Sequence, residues 1–532
     1  MNPVVVIPSY WAQGEKPGAL GERGVYDYTT RIDRPLPELE TCLSSLEQVS
    51  GILRVIVLVV APSSCAESAR ARVNSICRAH VDLNPLVIGA QEAAHVERAV
   101  ARMAHHVAGE TVSLRGYGAI RNMGLAVATV LGHDVAVFLD DDEVVLSPDF
   151  LVKAVWGLGS LTRQNLQVLV KSGFYVDEND SPYANPTTEW SERHWTKAEE
   201  FNKVMERAQQ SSTRITRSNH LCGGCCALHA SAFTRVPFDP YITRGEDLDY
   251  LLNLRANGLD VWFDNEWFVR AQTPEEPAPV PSTFMQDVYR WLYEYRKLDA
   301  MNARRDLRTV TPESLMPYPA PWLTSDVRRR VFQTALRRFL TGPDRLSYLG
   351  ILTKGRHEAD KFARRASTRY LSFAMVWPTI ASALWEDRFL QGAIRGTGEV
   401  SEPLYPAVSA AHLAVGGLGD TGALPVIDAW VPDELGLEED TDELTLAGEK
   451  NADARPAADD QDTGALPLVG ELGDTGELGD TGELGDTDEL LACDAPVEDG
   501  GLTEPDAPAE PSAPAEDETS EVTPAAGTGE LR

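Results

Sequence analysis

The chain has 532 residues, with 48 basic and 81 acidic side chains and a formal charge of −33. Of that charge, −31 lies in residues 401–532 and only −2 in residues 1–400, so the acidity belongs to the tail and says nothing about the substrate of the folded part. A folded part without basic excess also argues against a nucleic-acid partner.

The opening MNPVVVIPSYW has no basic leader and enters an apolar strand at once, so it does not read as a signal peptide. No stretch reaches the ~18 uninterrupted apolar residues of a spanning helix. Seven cysteines, at 42, 65, 77, 222, 225, 226 and 493, form no paired framework, which fits a reducing compartment. A cytoplasmic protein is expected, with contact to a membrane surface left open.

In chain order, Val4–Ile7 is a β-branched run that Pro8 is expected to stop. Pro37–Val49 has helical spacing through Leu39, Leu43 and Leu46, and Arg54–Val60 is a continuous apolar run of the kind buried on both faces of a parallel sheet. Leu86–Ile88 is a further short strand, Ile120–Leu131 a helix and Val135–Leu139 a strand ending in four acids. This βαβ rhythm predicts an α/β domain over residues 1–280, a mostly parallel open sheet with helices on both faces. In such sheets ligands bind beyond the carboxyl ends of the strands.

Residues 281–400 change character and read as a helical, basic extension. There DVRRRVFQTALRRFL (326–340) sets Val331, Ala335 and Phe339 on one face beside arginines, either a packed helix with a solvated basic face or a surface for anionic lipid or a phosphorylated substrate. Residues 401–532 lose aromatics, repeat the unit GELGDT and carry DTGALP twice. Low hydrophobicity and high charge predict a disordered acidic tail, whose threonines could recruit protein partners.

Two constellations carry chemistry. The first is VAVFLDDDEVV (135–145), in which a strand delivers Asp140, Asp141, Asp142 and Glu143 together. Adjacent carboxylates repel, and a divalent cation shared with a diphosphate resolves the conflict, Mg2+ or Mn2+ by ligand type. An acidic turn capping the next helix is the plainer alternative. The second is RGEDLDYLLNLRANG (244–258), where an apolar helical face follows Glu246 and Asp247 and Asn257-Gly258 reads as a stop. A carboxylate at a helix N-terminus stays ionised and could take a proton from a hydroxyl, although plain helix capping would need the same residues. Among weaker signals, the Cys222, Cys225 and Cys226 group reads as a tight turn rather than a zinc site. His105 and His106 read as surface residues, and Trp190 and Trp195 as either packing or sugar-stacking groups.

Taken in order with VVVIPSYW at the start, GYGAIRNMGLAVA (116–128) and CGGCCALHASAF (222–233), these motifs resemble the GT-A fold glycosyltransferases of the family-two type over roughly residues 1–275. The resemblance implies a Rossmann-like GT-A domain and a nucleotide-sugar-dependent, metal-dependent transferase. It would move a sugar to a hydroxyl acceptor in cell-envelope or other glycan or glycolipid synthesis; the basic helical region, not the resemblance, favours an anionic or lipid-linked acceptor over a free neutral sugar. It further implies that Pro8, Ser9, Tyr10, Arg121, Asp140 and Asp141 border the nucleotide, with Asp140 near the ribose. Asp140 and Asp142 would hold the metal, and Asp247 would act as an inverting base with Glu246 orienting the acceptor. The pattern departs from the family at Ala61-Pro62-Ser63-Ser64, which lacks a base-reading acid, and at FDNEWFVRAQTPEEP (263–277), which lacks a metal-binding histidine that Arg270 could partly replace. Three alternatives stay open: a retaining glycerate-type transferase, a nucleotidyltransferase of the same fold, and a degenerate domain serving as an interaction scaffold.

Overall fold

The computed structural model describes residues 1–13, 26–104, 110–272, 280–398 and 426–430. The strands are β1 (Pro3–Ala12), β2 (Thr30–Arg31), β3 (Val55–Val60), β4 (Pro85–Ile88), β5 (Val135–Phe138), β6 (Glu143–Val144), β7 (Leu161–Thr162), β8 (Val170–Val176), β9 (Ile215–Arg217), β10 (Cys226–His229), β11 (Val261–Ala271), β12 (Val426–Ile427) and β13 (Ala429–Trp430). The helices up to residue 280 are α1 (Glu38–Leu46), α2 (Ala66–Cys77), α3 (Ala90–Met103), α4 (Tyr117–Val130), α5 (Phe150–Val155), α6 (Lys197–Gln209), α7 (Ala230–Phe233) and α8 (Glu246–Ala256). Beyond it lie α9 (Val280–Asn302), α10 (Val327–Thr341), α11 (Arg345–Gly350), α12 (Arg356–Ala366), α13 (Arg369–Leu384) and α14 (Arg388–Gly398).

One sheet runs in the order β13-β9-β11-β8-β10-β5-β1-β3-β4. Its β5-β1-β3-β4 half is parallel, with Val5 opposite Val55 on one side and Val137 on the other. β10 then runs antiparallel to both β5 and β8, while β11 is again parallel to β8. The sheet is therefore open and mixed, its parallel character interrupted by β10.

β1 continues through Pro8 rather than stopping at it. Its neighbour β5 pairs only as far as Val6, so the missing N–H of Pro8 leaves no gap in that ladder, while Pro8 still lies opposite Leu58 of β3. This extension carries Ser9, Tyr10 and Trp11 past the end of β5.

Successive side chains of a strand point to opposite faces, and both faces here are covered. Val4 and Val6 enter one core with Ile56, Leu58, Leu86 and Ile88; Val5 and Ile7 enter the other with Val55, Val57 and Val87. The second core is closed by α1, α2 and α5 through Leu43, Val73 and Leu151. The first is closed by α3 and α4 and by side chains of the helical region after residue 280, among them Trp291, Trp322, Tyr370 and Trp377. On α10, Val331 and Ala335 are buried and Phe339 is half-buried, as the spacing predicts. Its arginines are largely engaged: Arg338 binds both oxygens of Glu192 at 2.6 Å, and Arg330 and Arg337 lie over Trp322 and Trp190.

Within the stretch expected to be a disordered tail, Val426–Trp430 forms two edge strands, β12 on β7 and β13 on β9. Arg163 holds Asp428 there. The tail repeats, the first DTGALP, Cys493, His105 and His106 lie outside the described residues.

A buried ionic network ties α9 to α8. Lys297, almost fully buried, donates to Asp239 at 2.6 Å and to the two oxygens of Asp249 at 2.7 and 2.8 Å, and Tyr293 adds a bond to Asp239 at 2.7 Å. Removing the one cation would strand two buried carboxylates. The substitution Lys297→Met is expected to lower the unfolding free energy by roughly 3–5 kcal/mol, measured by urea titration of the full chain. A loss below about 1 kcal/mol, typical of an exposed pair, would contradict this role.

Candidate active site

The carboxyl ends of β1 and β5 are locked together before they meet any ligand. Asp141 is buried and accepts hydrogen bonds from Ser9 Oγ at 2.7 Å and from the Tyr10 amide at 3.3 Å. Trp11 Nε1 donates to Ser9 Oγ at 2.8 Å. Burial, then the neighbouring Asp142, holds the Asp141 carboxyl well above the usual carboxylate range. Of the residues expected to border the nucleotide, Pro8, Ser9 and Asp141 thus lie inside the protein as a clip. Tyr10 lines the cavity, its ring 4.6 Å from that of Tyr26 and 6.0 Å from that of Tyr117.

Asp140 and Glu143 also face the cavity. Glu143 accepts from the Asp140 amide at 3.1 Å, and burial followed by repulsion from Asp140 and Asp142 pushes its carboxyl up. The chain passes so close at Gly224 that a Cβ there would sit 2.3 Å from a Glu143 oxygen, which is why the 223–224 pair is glycine. Asp142 is half-buried and does not line the cavity, its carboxyl is held up to about 7 by burial and by Asp140, and no other described residue hydrogen-bonds to that carboxyl.

Arg121 joins this strand end to α8. It is 3% exposed; its Nη2 donates to Asp140 at 2.8 Å and its Nε to Glu246 at 3.1 Å. Its third nitrogen, Nη1, is buried without a partner. Asn122 pins the same turn of α4 by bonding the Thr111 and Phe238 carbonyls and accepting from the Phe238 amide. Glu246 is held up to about 7 because burial, with Asp247 and Asp140 adding, outweighs the pull of Arg121. Asp247 is only half-buried and lines the cavity, and its Oδ1 accepts from the Leu248 amide at 2.7 Å.

The cavity between these groups encloses about 510 Å³. Its lining includes residues that sequence reasoning missed: Lys197 from α6, Arg244 before α8, Arg290 from α9, with His220 and Tyr318. Arg244 stood one residue ahead of the Gly-Glu-Asp motif and was the nearest to being found; Lys197 and Arg290 sit on helices with no local motif. Trp190 and Trp195 do not line the cavity, and Trp195 packs on Phe284 and Trp322. Cys222, Cys225 and Cys226 are buried free thiols.

Among the described residues no three His, Cys, Asp or Glu side chains converge as a protein-only metal cage. The donor set fits instead a cation that takes one or two carboxylates and completes its shell with phosphate oxygens, for which Asp142, without a partner, and Asp140, with one oxygen on Arg121, remain suited. Arg270 does not stand in for the missing histidine, because it donates to Asp180 at 2.6 Å and does not line the cavity. No described helix is long and apolar enough to cross a membrane.

No protein-family model matches the chain, and no curated protein does. Among solved structures, a mannosyltransferase from Pyrobaculum calidifontis in complex with GDP-Man and Mn2+ aligns over 73% of this chain and 88% of its own, at 13% identity and a TM-score of 0.38. GalNAc-T7 with UDP, GalNAc and Mn2+ aligns over 64% and 56%, at 13% identity and 0.30. Glucosyl-3-phosphoglycerate synthase from Mycobacterium tuberculosis, with Mg2+ and UDP, aligns over 55% and 77%, at 13% identity and 0.28.

The raised acids have a consequence for stability. Asp142 and Glu246 bind their protons more tightly folded than unfolded, so the folded state loses stability as pH rises from their ordinary values of 3.8 and 4.5 through about 7. The melting temperature of the full chain without ligand is expected to fall between about pH 4 and pH 7, and Glu246→Gln is expected to flatten the fall. A melting temperature that rises over that window would show the acids to be stabilised as anions.

Proposed function

We propose that the chain is a GT-A-type glycosyltransferase that moves a sugar from a nucleoside diphosphate to a hydroxyl acceptor. The observation that carries this reading is the convergence, through Arg121, of the β5 acids and the Glu246–Asp247 helix start on one cavity, with Asp247 left open to it. Donor and acceptor groups then meet over a fixed distance set by a buried ion pair rather than by mobile loops.

On this reading the nucleotide lies at the ends of β1 and β5, against Tyr10 and Tyr117. The unpartnered Nη1 of Arg121 is a buried donor suited to the diphosphate. A Mn2+ or Mg2+ ion held by Asp140 and Asp142 would offset the charge of the departing diphosphate. Asp247 takes the proton of the acceptor hydroxyl as its oxygen forms the new bond to the anomeric carbon. The bond from that carbon to the diphosphate oxygen breaks, and its electron pair leaves with the nucleoside diphosphate. A single displacement inverts the anomeric centre. Glu246, tied to Arg121, positions the helix start and the acceptor.

The test is turnover by Asp247→Asn in the full chain, using slow hydrolysis of the donor where no acceptor is supplied. The substitution is expected to reduce kcat by about 10²–10⁴-fold while donor affinity stays within about twofold. Turnover at the unaltered rate would remove Asp247 from the chemistry.

A further inference from the structure

Three cations, Lys197, Arg244 and Arg290, line the cavity beside the start of the Asp247 helix. Lys197 donates to Asp287 at 2.8 Å, and Arg244 reaches the other oxygen of that same carboxylate at 3.2 Å and Asp27 at 2.8 Å. Arg290 has its Nε on Glu294 at 3.4 Å and lies over the Trp291 ring at 4.4 Å. Burial lifts the Glu294 carboxyl to about 8, against the pull of Arg290.

Arg290 is itself 5% exposed, lines the cavity and keeps Nη2 buried with no hydrogen-bond partner. A buried guanidinium nitrogen left unsatisfied is costly unless a ligand completes it. The fold makes room for it at some expense. Gly245 adopts φ 68°, and a Cβ there would lie 1.9 Å from Arg290 Nη1, so glycine is needed both for the turn and for the approach of the guanidinium. That contact places Arg290 one residue from Glu246 and two from Asp247.

From this placement we infer that Lys197, Arg244 and Arg290, with Tyr318 beside them, form an anion subsite that takes a phosphate group on the acceptor. Cations from three separate segments converge there, Arg290 with a buried nitrogen left over, and phosphate can meet several donors at once. The diphosphate of the donor is served elsewhere, at the strand ends where Arg121 and the β5 acids lie. The subsite instead adjoins the Asp247 side of the cavity, so an acceptor anchored by its phosphate would present a nearby hydroxyl to that carboxylate. Calling the phosphate part of the acceptor rests on the glycosyl-transfer reading; the anion site does not.

The test is calorimetric titration of the full chain with inorganic phosphate, and separately with a nucleoside diphosphate sugar plus Mn2+. Phosphate is expected to bind the unaltered chain, and Lys197→Met and Arg290→Gln are each expected to weaken it about tenfold, with donor affinity changed less than about twofold. Lys197 is partly exposed, so its variant serves even if Arg290→Gln does not fold. A folded chain that binds donor but no phosphate overturns the subsite. Parallel loss of donor affinity in the variants also overturns it, because the three cations would then serve the donor diphosphate. Phosphate binding that the variants weaken, in a chain that binds no donor, upholds the anion site and sinks the transfer reading.

Discussion

Everything at the cavity is organised by one buried guanidinium. Arg121 bonds Asp140, at the end of a central strand, and Glu246, at the start of α8, and those two residues are separated by more than a hundred positions in the chain. A buried ion pair gains little net energy against a well-packed apolar substitute, but removing one member leaves an uncompensated charge at several kcal/mol. The pairings of Arg121 are therefore better read as setting geometry than as adding stability. They hold the acidic strand end and the helix start at a fixed separation, and leave Asp247 beside them with an oxygen to spare.

Charges of both signs gather around that tie. Asp140, Glu143 and Glu246 line the cavity, and burial and mutual repulsion raise the carboxyls of Asp142, Glu143 and Glu246. Lys197, Arg244 and Arg290 line it as well. Such an arrangement is unfavourable in an isolated protein and becomes favourable when a cation and an anion enter. The same logic accounts for the three lining residues that bury an unpartnered nitrogen, Arg121, His220 and Arg290.

The strand-end acids and the Gly-Glu-Asp helix start were legible in the sequence because each is local: an apolar run, then carboxylates, or carboxylates, then a helical apolar face. Only motif order implied that the two share a site, and the tie through Arg121 was not legible. Direction of side chains was not legible. Three consecutive aspartates look alike as letters, yet Asp140 turns to the cavity while Asp141 turns back onto Ser9 and Tyr10. The reversal of β10 was hidden because apolar alternation is the same in either strand direction. Pro8 was misread as a strand end because the early stop of β5, which frees that position from pairing, is a property of the neighbour. Lys197 and Arg290 were invisible, since helical spacing reports which face is buried and not which charge lies at the edge of a cavity.

The claim beneath this account is that the β5 acids and Arg121 receive a nucleoside diphosphate together with a cation. Titration of the full chain with UDP-, GDP- and dTDP-sugars, with and without Mn2+ and beside Asp142→Asn, tests it most directly. The account predicts binding of at least one donor that requires Mn2+ and is abolished by the substitution. A folded chain that binds none of them under either condition would contradict it.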